Sequence, residues 1–247
     1  MKVLGIIPSR YASTRFPGKP LAMIAGKPMI QHVYERVKDI KVLSDVVVAT
    51  DDNRIADCVR SFGGNVMMTK DTHKSGTDRC GEIVEQYKNL GKEYDVIINI
   101  QGDEPFVEHS QIETLAKCFT DENTQIATLK KQISSKNELF SPNVVKVVCD
   151  KSGKAIYFSR FAVPYQRGID ENEWLNRHNY YKHIGIYAYR SRVLSRLIQL
   201  EQSELEISES LEQLRWIENG FSIKVEETLI ENIAIDTPED LLKIEKI

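Results

Sequence analysis

The feature that most constrains the fold is a repeated alternation between short apolar runs and longer segments of helical period. Three runs have the length of a strand buried on both faces: Val3–Pro8, Val46–Ala49 and Asp95–Gln101. Segments with apolar residues at helical spacing lie at Met29–Val37, Arg54–Phe62 and Ser110–Phe119. The alternation predicts an α/β chain with a doubly wound, mostly parallel, Rossmann-like sheet and helices on both faces.

Capping residues indicate where two helices begin. The run Ser75-Gly76-Thr77-Asp78 predicts the first turn of one helix. Ser110 and Glu113 stand at the spacing of a capping box, so we expect Ser110 to cap the other.

The second half of the chain predicts a smaller antiparallel β elaboration. Val144–Cys149 and Lys154–Ser159, joined by a four-residue turn, predict a β-hairpin. The remaining predicted elements are strands at His183–Tyr189, Phe221–Val225 and Ile233–Ile235, helices at Ser191–Leu200 and Ser208–Asn219, and a last helix opened by Thr237-Pro238-Glu239-Asp240.

Charge and hydropathy exclude two classes of protein. The chain has 33 Lys and Arg against 36 Asp and Glu, a balance that argues against binding nucleic acid through bulk charge. No apolar run approaches the roughly 20 residues of a membrane span. The first apolar run reaches Pro8 too early for a signal peptide, so we expect a cytoplasmic protein. The four widely spaced cysteines (Cys58, Cys80, Cys118 and Cys149) contain no C-x-x-C pair, and we expect reduced packing residues.

A basic loop follows the first predicted strand. No acidic residue occurs before Glu35, whereas Arg10, Arg15 and Lys19 lie together in this loop. Guanidinium and ammonium groups at the carboxyl end of a parallel strand suit a polyphosphate. The sequence has neither a Walker A loop nor a G-x-G-x-x-G turn, and a solvated basic surface loop is the alternative.

Two acidic residues stand at the ends of other predicted strands. Asp103 follows the Asp95–Gln101 run, and Asp236 follows Ile233–Ile235. If these two strands are close in the sheet, both carboxylates could hold one Mg²⁺ ion beside substrate phosphates. The alternatives are an Asp103 that bonds its own turn and an Asp236 that orients the following helix.

Nine segments, in the same order along the chain, resemble the motifs of one enzyme family. They are Pro8–Leu21, Ala49–Asp52, Ser75–Arg79, Asn99–Pro105, Phe140–Val148, Tyr157–Arg160, His183–Tyr187, Leu211–Arg215 and Asp236–Asp240. Together they resemble the 3-deoxy-manno-octulosonate (KDO) cytidylyltransferases, also called CMP-KDO synthetases, over essentially the whole chain.

The resemblance implies a reaction in which CTP and KDO give CMP-KDO and pyrophosphate with Mg²⁺, supplying a sugar for lipopolysaccharide. It also implies residue roles. Arg10, Arg15 and Lys19 would hold the CTP phosphates, and Asp103 and Asp236 would bind the metal; these five are the expected catalytic residues. Pro8, Ser75, Arg79 and Gln101 would line the nucleotide pocket. Gln101, Arg160, His183, Tyr187, Glu212 and Gln213 would face the sugar acid, with His183 as a hydrogen-bond partner and not a general base.

The resemblance implies an organisation as well. We expect one nucleotidyltransferase domain over 1–247, with a nucleotide-binding lobe at about 1–130 and a sugar-binding and dimerisation elaboration at about 131–230. A homodimer is implied, through the hairpin and the Tyr157–Tyr165 region. The alternatives are a cytidylyltransferase for a related acidic sugar, such as 8-amino-KDO or sialic acid, and a non-catalytic nucleotide-binding protein.

Overall fold

Strands and helices alternate along the chain as the sequence predicts. The computed structural model of the protein describes residues 1–12, 16–231, 235 and 237–244. The strands are β1 (Val3–Ser9), β2 (Met23–Ile24), β3 (Lys27–Pro28), β4 (Asp45–Thr50), β5 (Val66–Met68), β6 (Val96–Asn99), β7 (Ile126–Gln132), β8 (Lys146–Cys149), β9 (Ala155–Ser159), β10 (Tyr181–Arg190) and β11 (Ile223–Glu227).

The helices are α1 (Met29–Val37), α2 (Asn53–Ser61), α3 (Gly76–Asn89), α4 (His109–Cys118), α5 (Lys136–Phe140), α6 (Trp174–Arg177), α7 (Ser191–Leu197), α8 (Glu204–Glu209), α9 (Glu212–Glu218) and α10 (Pro238–Ile244). Short 3-10 turns lie at Lys19–Leu21 and Glu171–Glu173.

One mixed sheet organises the molecule. Its main path has the order β5-β4-β1-β6-β10-β7-β11. β1 pairs in parallel with β4 and β6, and β11 pairs in parallel with β7. β10 is antiparallel to both of its neighbours, β6 and β7, and so runs against the rest of this path. The mostly parallel α/β sheet predicted from the sequence is therefore confirmed.

Each face of the sheet buries its own apolar core. On one face, Ile30, Val33, Ile55, Ile112 and Leu115 bring α1, α2 and α4 onto the strands. On the other face, residues of α3, α7 and α9 pack against the sheet, among them Ile83, Leu194, Leu214 and Trp216. Full burial of one such side chain contributes about 1.5–3 kcal/mol. This two-sided burial is why the central strands read as continuous apolar runs.

The predicted hairpin is confirmed, with β8 beginning two residues later than expected. Asp150 forms its turn: Oδ1 accepts the backbone N–H of Ser152 at 2.8 Å and that of Lys154 at 2.9 Å. Gly153 completes the turn with a φ of 79°, in the left-handed region that glycine adopts at low cost. Through Lys146 opposite Lys182, the hairpin joins β10.

The predicted cap of α4 is wrong. The helix begins at His109, which places Ser110 inside its first turn. The backbone N–H of Glu108 donates to Gln111 Oε1 at 3.3 Å, so this pair holds the start of the helix. Ser110 instead accepts the hydroxyl of Thr114 on its carbonyl at 2.7 Å.

The single helix predicted at Ser208–Asn219 is also wrong. Ser210 adopts a φ of 52°, which ends α8 at Glu209 and lets α9 begin at Glu212. Both short segments carry apolar residues at helical spacing, so the pattern alone did not reveal the break between them. The predicted strand at Ile233–Ile235 falls largely outside the described residues.

Candidate active site

A cleft of about 330 Å³ lies at the carboxyl ends of β1 and β6. This is the sheet edge at which ligands bind in folds of this type. The residues that line it come from the end of β1 and the loop after it, from the start of α3 and the loop before it, and from the turn after β6. They are Pro8, Ser9, Arg10, Lys19, Pro20, His73, Lys74, Ser75, Gly76, Arg79, Gln101, Gly102 and Asp103. The cleft therefore gathers Pro8, Arg10, Lys19, Ser75, Arg79, Gln101 and Asp103, all of which the sequence had placed near the nucleotide.

The basic loop is closed by a backbone hydrogen bond at its base. Gly18, with a φ of 71°, donates its N–H to the carbonyl of Tyr11 at 2.9 Å. The guanidinium carbon of Arg54 lies 3.3 Å from the centre of the Tyr11 ring and covers the loop from outside. Arg10 and Lys19, which flank this closure, both line the cleft. Arg15, the third predicted cation, lies outside the described residues.

Lys19 and Asp103 form an ion pair across the cleft. Lys19 Nζ lies 2.6 Å from Asp103 Oδ2, with 10% of the lysine side chain and 35% of the aspartate side chain exposed. The pair joins the loop after β1 to the turn after β6. Asp103 therefore presents a partly exposed carboxylate to the cavity and is not confined to bonding its own turn.

Asp103 also contacts the C-terminal segment that carries Asp236. The N–H of Ile235 donates to the Asp103 carbonyl at 3.0 Å. Asp236 itself lies outside the described residues. Within the described ranges, no group of three or more His, Cys, Asp or Glu residues is arranged to hold a metal ion. A carboxylate in a cleft lined by cations nonetheless suits Mg²⁺, which takes one or two protein carboxylates and completes its shell with substrate oxygens and water.

The N-terminus of α3 forms a second wall of the cleft. Ser75 caps this helix as predicted: its hydroxyl accepts the N–H of Asp78 at 3.1 Å, and the Asp78 carboxylate accepts the N–H of Ser75 at 3.1 Å. His73 bonds Glu82 through Nε2, which fixes the loop before the helix. The positive end of the helix dipole thus adds to the cationic side chains of the cleft.

Arg79 supports this wall from beneath. It is 3% exposed. Its Nη2 donates to Asp51 Oδ2 at 3.2 Å, and its Nη1 bonds Thr69. These contacts tie α3 to the ends of β4 and β5. Arg79 borders the cleft, but most of its donors are committed to the protein.

The floor of the cleft combines a close backbone approach with an unpaired hydroxyl. A Cβ on Gly102 would lie 2.7 Å from Ser9 Oγ and 2.8 Å from the Pro8 carbonyl, so only glycine fits there. Ser9 Oγ is buried, and among the described residues it has no hydrogen-bond partner. A buried polar atom of this kind at a cavity floor suits a bound ligand or water.

Glu212 lies beside the same helix, on the far side of the Ser75 cap. Its Oε2 accepts the hydroxyl of Thr77 at 2.9 Å, and its Oε1 lies 2.9 Å from Arg215 Nη2. Burial raises the pKa of this carboxyl above its ordinary value, against the lowering effect of Thr77 and Arg215. The carboxylate is thereby held at a fixed position near the cleft.

His183 is an uncharged hydrogen-bonding group. Burial lowers its pKa to about 3. Its Nε2 lies 2.9 Å from Thr128 Oγ1, and that hydroxyl reaches the carbonyls of Ile184 and Ile186 at 3.1 and 2.8 Å. Because the hydroxyl has one proton to give to these carbonyls, the imidazole donates through Nε2 and keeps Nδ1 as an acceptor.

Arg160 is held by backbone carbonyls. Its Nε donates to Glu209 at 2.6 Å, and its two terminal nitrogens donate to Pro142 at 3.0 Å and Ser210 at 3.3 Å. The break at Ser210 exposes the last carbonyls of α8, and the guanidinium satisfies them. A guanidinium carries five N–H groups, so two remain for a ligand.

The other predicted sugar-side residues lie on β10, on α9 and in the turn after β6. Tyr187 packs against His183, with ring centres 5.2 Å apart, and burial raises the pKa of its phenol well above the ordinary value. Gln213 is buried. Gln101 Nε2 donates to the Gly185 carbonyl at 2.9 Å, which links the cleft to β10. Arg160, His183, Tyr187, Glu212 and Gln213 are not among the residues that line the cleft itself.

Comparison with known proteins identifies the family. A family model described as cytidylyltransferase matches residues 4–241. A 3-deoxy-manno-octulosonate cytidylyltransferase of Parabacteroides distasonis is 60% identical over 247 residues, covering 98% of this chain and 96% of that protein. The chain belongs to the 3-deoxy-manno-octulosonate cytidylyltransferase family.

Two further comparisons agree with the family. A relative of the same name from Phocaeicola vulgatus is 54% identical, covering 99% of this chain and 96% of that protein. A solved structure of CMP:2-keto-3-deoxy-manno-octonic acid synthetase complexed with CTP superposes with a TM-score of 0.91 at 42% identity, covering 100% of this chain and 98% of that one. Across the described residues of this cytidylyltransferase, no helix has the length and apolar character that crossing a membrane requires.

Lys146 is a residue of this cytidylyltransferase that the sequence analysis missed. It is fully buried, and its Nζ donates to the carbonyls of Ser141 at 2.9 Å and Val144 at 2.6 Å, and also to that of Arg160. It therefore fixes the backbone from which the Arg160 side chain extends. The signal was a single cation between two pairs of valines on the first strand of the predicted hairpin.

Asp51 and Thr77 were also given no role. Asp51 pairs with Arg79, and Thr77 bonds Glu212, as described above. Both lie in segments that carried the family resemblance, but their partners are distant in sequence, and only the fold brings them together.

Proposed function

We propose that this cytidylyltransferase joins CTP and KDO to give CMP-KDO and pyrophosphate, the activated sugar serving lipopolysaccharide assembly. One observation carries the proposal. A single cleft gathers Lys19, the Ser75 helix cap, Arg79, Gln101 and Asp103. The chain that forms this cleft is 42% identical along its whole length to a synthetase solved with CTP. A polyphosphate needs such a collection of cations and helix N–H groups.

The reaction forms one bond and breaks one bond at the α-phosphorus of CTP. The oxygen of a sugar hydroxyl bonds to the phosphorus, the bond to the oxygen bridging the β-phosphate breaks, the hydroxyl proton is lost, and pyrophosphate leaves. Phosphoryl-group transfer depends on positioning and charge neutralisation more than on covalent help from the protein. Arg10, Arg15 and Lys19 are proposed to hold the phosphates and stabilise the departing pyrophosphate.

Asp103 and Asp236 are the residues we propose for Mg²⁺. The ion would neutralise charge on the phosphates and lower the pKa of the attacking hydroxyl, so no protein side chain is needed as a general base. The Ile235–Asp103 hydrogen bond supports this assignment, because it brings the residue adjacent to Asp236 onto the Asp103 turn. The same carboxylate pairs with Lys19, which keeps it at the cleft.

The residues predicted to face the sugar support a hydroxylated sugar acid as the second substrate. Arg160 has two donors left for a carboxylate, while His183 and Glu212 offer acceptors for hydroxyl groups. Glu212 would repel a carboxylate placed beside it, so we assign it to hydroxyls at the other end of the sugar. A site built around hydroxyls discriminates strongly against analogues that lack them.

One assay distinguishes this proposal from its two alternatives. A cytidylyltransferase for sialic acid or 8-amino-KDO would prefer that acceptor over KDO. A non-catalytic nucleotide-binding protein would bind CTP without turnover. The assay is pyrophosphate release with CTP and Mg²⁺, run with each sugar acid and with none. Our proposal requires release that depends on an acceptor and is fastest with KDO.

We also propose that the enzyme is a cytoplasmic homodimer. Exposed apolar side chains near the hairpin support an interface: Ile156 is 56% exposed, Phe161 73% and Tyr165 69%. Large apolar side chains that stay exposed within ten residues of one another favour a protein contact in this part of the chain. Sedimentation at micromolar concentration would give twice the chain mass, and Phe161→Asp would give the monomer.

A further inference from the structure

The side chain of Arg54 is exposed, yet it is held in one orientation. Asp52 binds its guanidinium at two points: Oδ1 accepts Nε at 2.9 Å, and Oδ2 accepts Nη2 at 2.6 Å. The same Oδ1 accepts the backbone N–H of Arg54 at 2.9 Å and so caps α2. Two parallel bonds to a carboxylate fix the plane of a guanidinium as well as its position. The first turn of α2 therefore presents a flat cation at a fixed angle.

Tyr11, in the basic loop, lies against this cation. The guanidinium carbon of Arg54 is 3.3 Å from the centre of the Tyr11 ring, well inside the roughly 6 Å over which a cation and an aromatic face attract each other. A separation this short is possible only over the face of the ring. Tyr11 also packs against the apolar core on the α1, α2 and α4 side of the sheet. Arg54 thus joins α2 to the loop that follows β1.

Gly18 brings the far end of the loop to the same tyrosine. Its N–H donates to the Tyr11 carbonyl at 2.9 Å, and a Cβ on Gly18 would lie 3.1 Å from two carbons of the Tyr11 ring. The two cations of the loop that line the cleft, Arg10 and Lys19, are the sequence neighbours of Tyr11 and Gly18. The contact between Tyr11 and Gly18 therefore fixes the spacing of the backbone from which both cations extend. We call Tyr11, Gly18, Asp52 and Arg54 the loop clamp.

We infer that Arg54 is a positioning residue for the triphosphate of CTP, because it holds the loop clamp closed and so keeps Arg10 and Lys19 at the spacing that the phosphates need. The inference rests on the proposed function, which assigns the basic loop to those phosphates. Tyr11, Gly18 and Arg54 are not among the described residues that line the cleft. Arg54 therefore acts through the two cations of the loop and makes no contact of its own with the nucleotide.

The test compares Arg54→Ala with a matched control, Arg60→Ala, on the same helix. Arg60 pairs with Asp57 at 2.8 Å, and its side chain is 55% exposed against 59% for Arg54. The control therefore removes an exposed ion pair of α2 and leaves the loop clamp intact. Three quantities are measured: the Kd for CTP by calorimetry without KDO, the KM for each substrate, and the hydrogen exchange of the Gly18 amide by NMR.

The loss of one exposed cation–π contact corresponds to a factor of about 2–5 in an equilibrium constant. We expect the Gly18 amide to exchange faster by about this factor in Arg54→Ala, because its hydrogen bond to Tyr11 closes the loop. The Kd and the KM for CTP rise by a similar factor. The KM for KDO and the melting temperature stay close to those of Arg60→Ala, since both arginines are exposed.

Arg54→Lys separates the loop clamp from simple charge. Lysine keeps the positive charge but has neither the fork nor the flat face of a guanidinium, so we expect it to behave like Arg54→Ala. The inference is overturned if Arg54→Lys binds CTP as the wild type does, since charge alone would then act on the phosphates.

Two further results would overturn the inference. One is an Arg54→Ala enzyme that matches Arg60→Ala in its Kd for CTP or in the exchange of the Gly18 amide. The other is a KM for KDO that rises as much as that for CTP, since Arg54 would then serve the fold as a whole. A wild-type enzyme that does not bind CTP would instead refute the proposed function.

Discussion

Replacing Arg79 with methionine tests how the nucleotide side of the site is built. Arg79 is 3% exposed, and its guanidinium lies 3.2 Å from the carboxylate of Asp51, whose side chain is 16% exposed. The variant leaves the largely buried charge of Asp51 without its partner, and the loss of one partner from a buried pair costs about 3–5 kcal/mol. Native domains have only about 5–15 kcal/mol of stability, so the variant folds but is strongly weakened.

The assay is urea unfolding followed by circular dichroism. With an m-value of about 3 kcal/mol/M, a loss of this size moves the midpoint down by about 1–2 M. The matched control is Arg60→Met, because Arg60 and Asp57 form a similar pair at 2.8 Å whose side chains are 55% and 72% exposed. Exposed pairs contribute at most about 1 kcal/mol, so the control midpoint hardly moves.

A second substitution identifies the source of the loss. Adding Asp51→Asn to Arg79→Met removes the unpaired charge, and we expect the double variant to regain part of the lost stability. The reasoning is refuted if Arg79→Met costs less than 1 kcal/mol, or if the double variant is less stable than Arg79→Met. Functionally, Arg79→Met should raise the KM for CTP more than that for KDO, because it loosens the helix wall that borders the proposed nucleotide site.

The remaining predictions concern the two substrates and the metal. Asp103→Asn and Asp236→Asn each lower kcat by at least a factor of 100, and EDTA abolishes turnover. A wild-type rate in either variant would show that the replaced residue does not bind the metal. Lys19→Ala and Arg15→Ala raise the KM for CTP more than that for KDO; equal changes would indicate a structural role for the loop. Glu212→Ala and His183→Ala raise the KM for KDO and leave that for CTP nearly unchanged, and sialic acid is a poor acceptor for the wild type. The pKa of His183 is lowered from 6.5 to about 3 in the folded protein, so between these pH values the unfolded chain binds one more proton than the folded chain. The free energy of unfolding therefore rises with pH across that window. In His183→Asn it rises less steeply.

Local patterns predicted the elements that build the cleft. The apolar runs gave β1, β4 and β6 to within two residues at each end, and α1 has the predicted bounds, Met29–Val37. The Ser75 cap was readable because its partner Asp78 is three residues away. At the other end of the chain, α10 begins at Pro238 as predicted, and the Asp240 carboxylate accepts the backbone N–H and the hydroxyl of Thr237 at 3.0 and 3.1 Å. Each of these features depends on neighbours in the sequence.

Features that depend on distant contacts were not predictable in the same way. β7 has no clear alternation, since Ile126-Ala127-Thr128-Leu129 is followed by Lys130-Lys131-Gln132, and it was missed. Nothing local indicates that β10 inserts antiparallel between β6 and β7. The break between α8 and α9 at Ser210 was not predictable from neighbouring residues. The carbonyls that it exposes are bound by the guanidinium of Arg160, which is distant in the sequence.

Five short elements were missed for a related reason. β2, β3, β5, α5 and α6 contain two to five residues each, and so are too short to show a period.

The four cysteines agree with the expectation of packing residues. They form no disulfide, and burial raises the pKa of each thiol.

The most direct test of the central claim is phosphorus NMR of a mixture of enzyme, CTP, KDO and Mg²⁺. Attack at the α-phosphorus predicts that the three CTP resonances decline together, replaced by one phosphodiester resonance and pyrophosphate in equal molar amounts. Omission of KDO should leave CTP intact. Formation of CDP and inorganic phosphate, or loss of CTP at the same rate without KDO, would contradict the account.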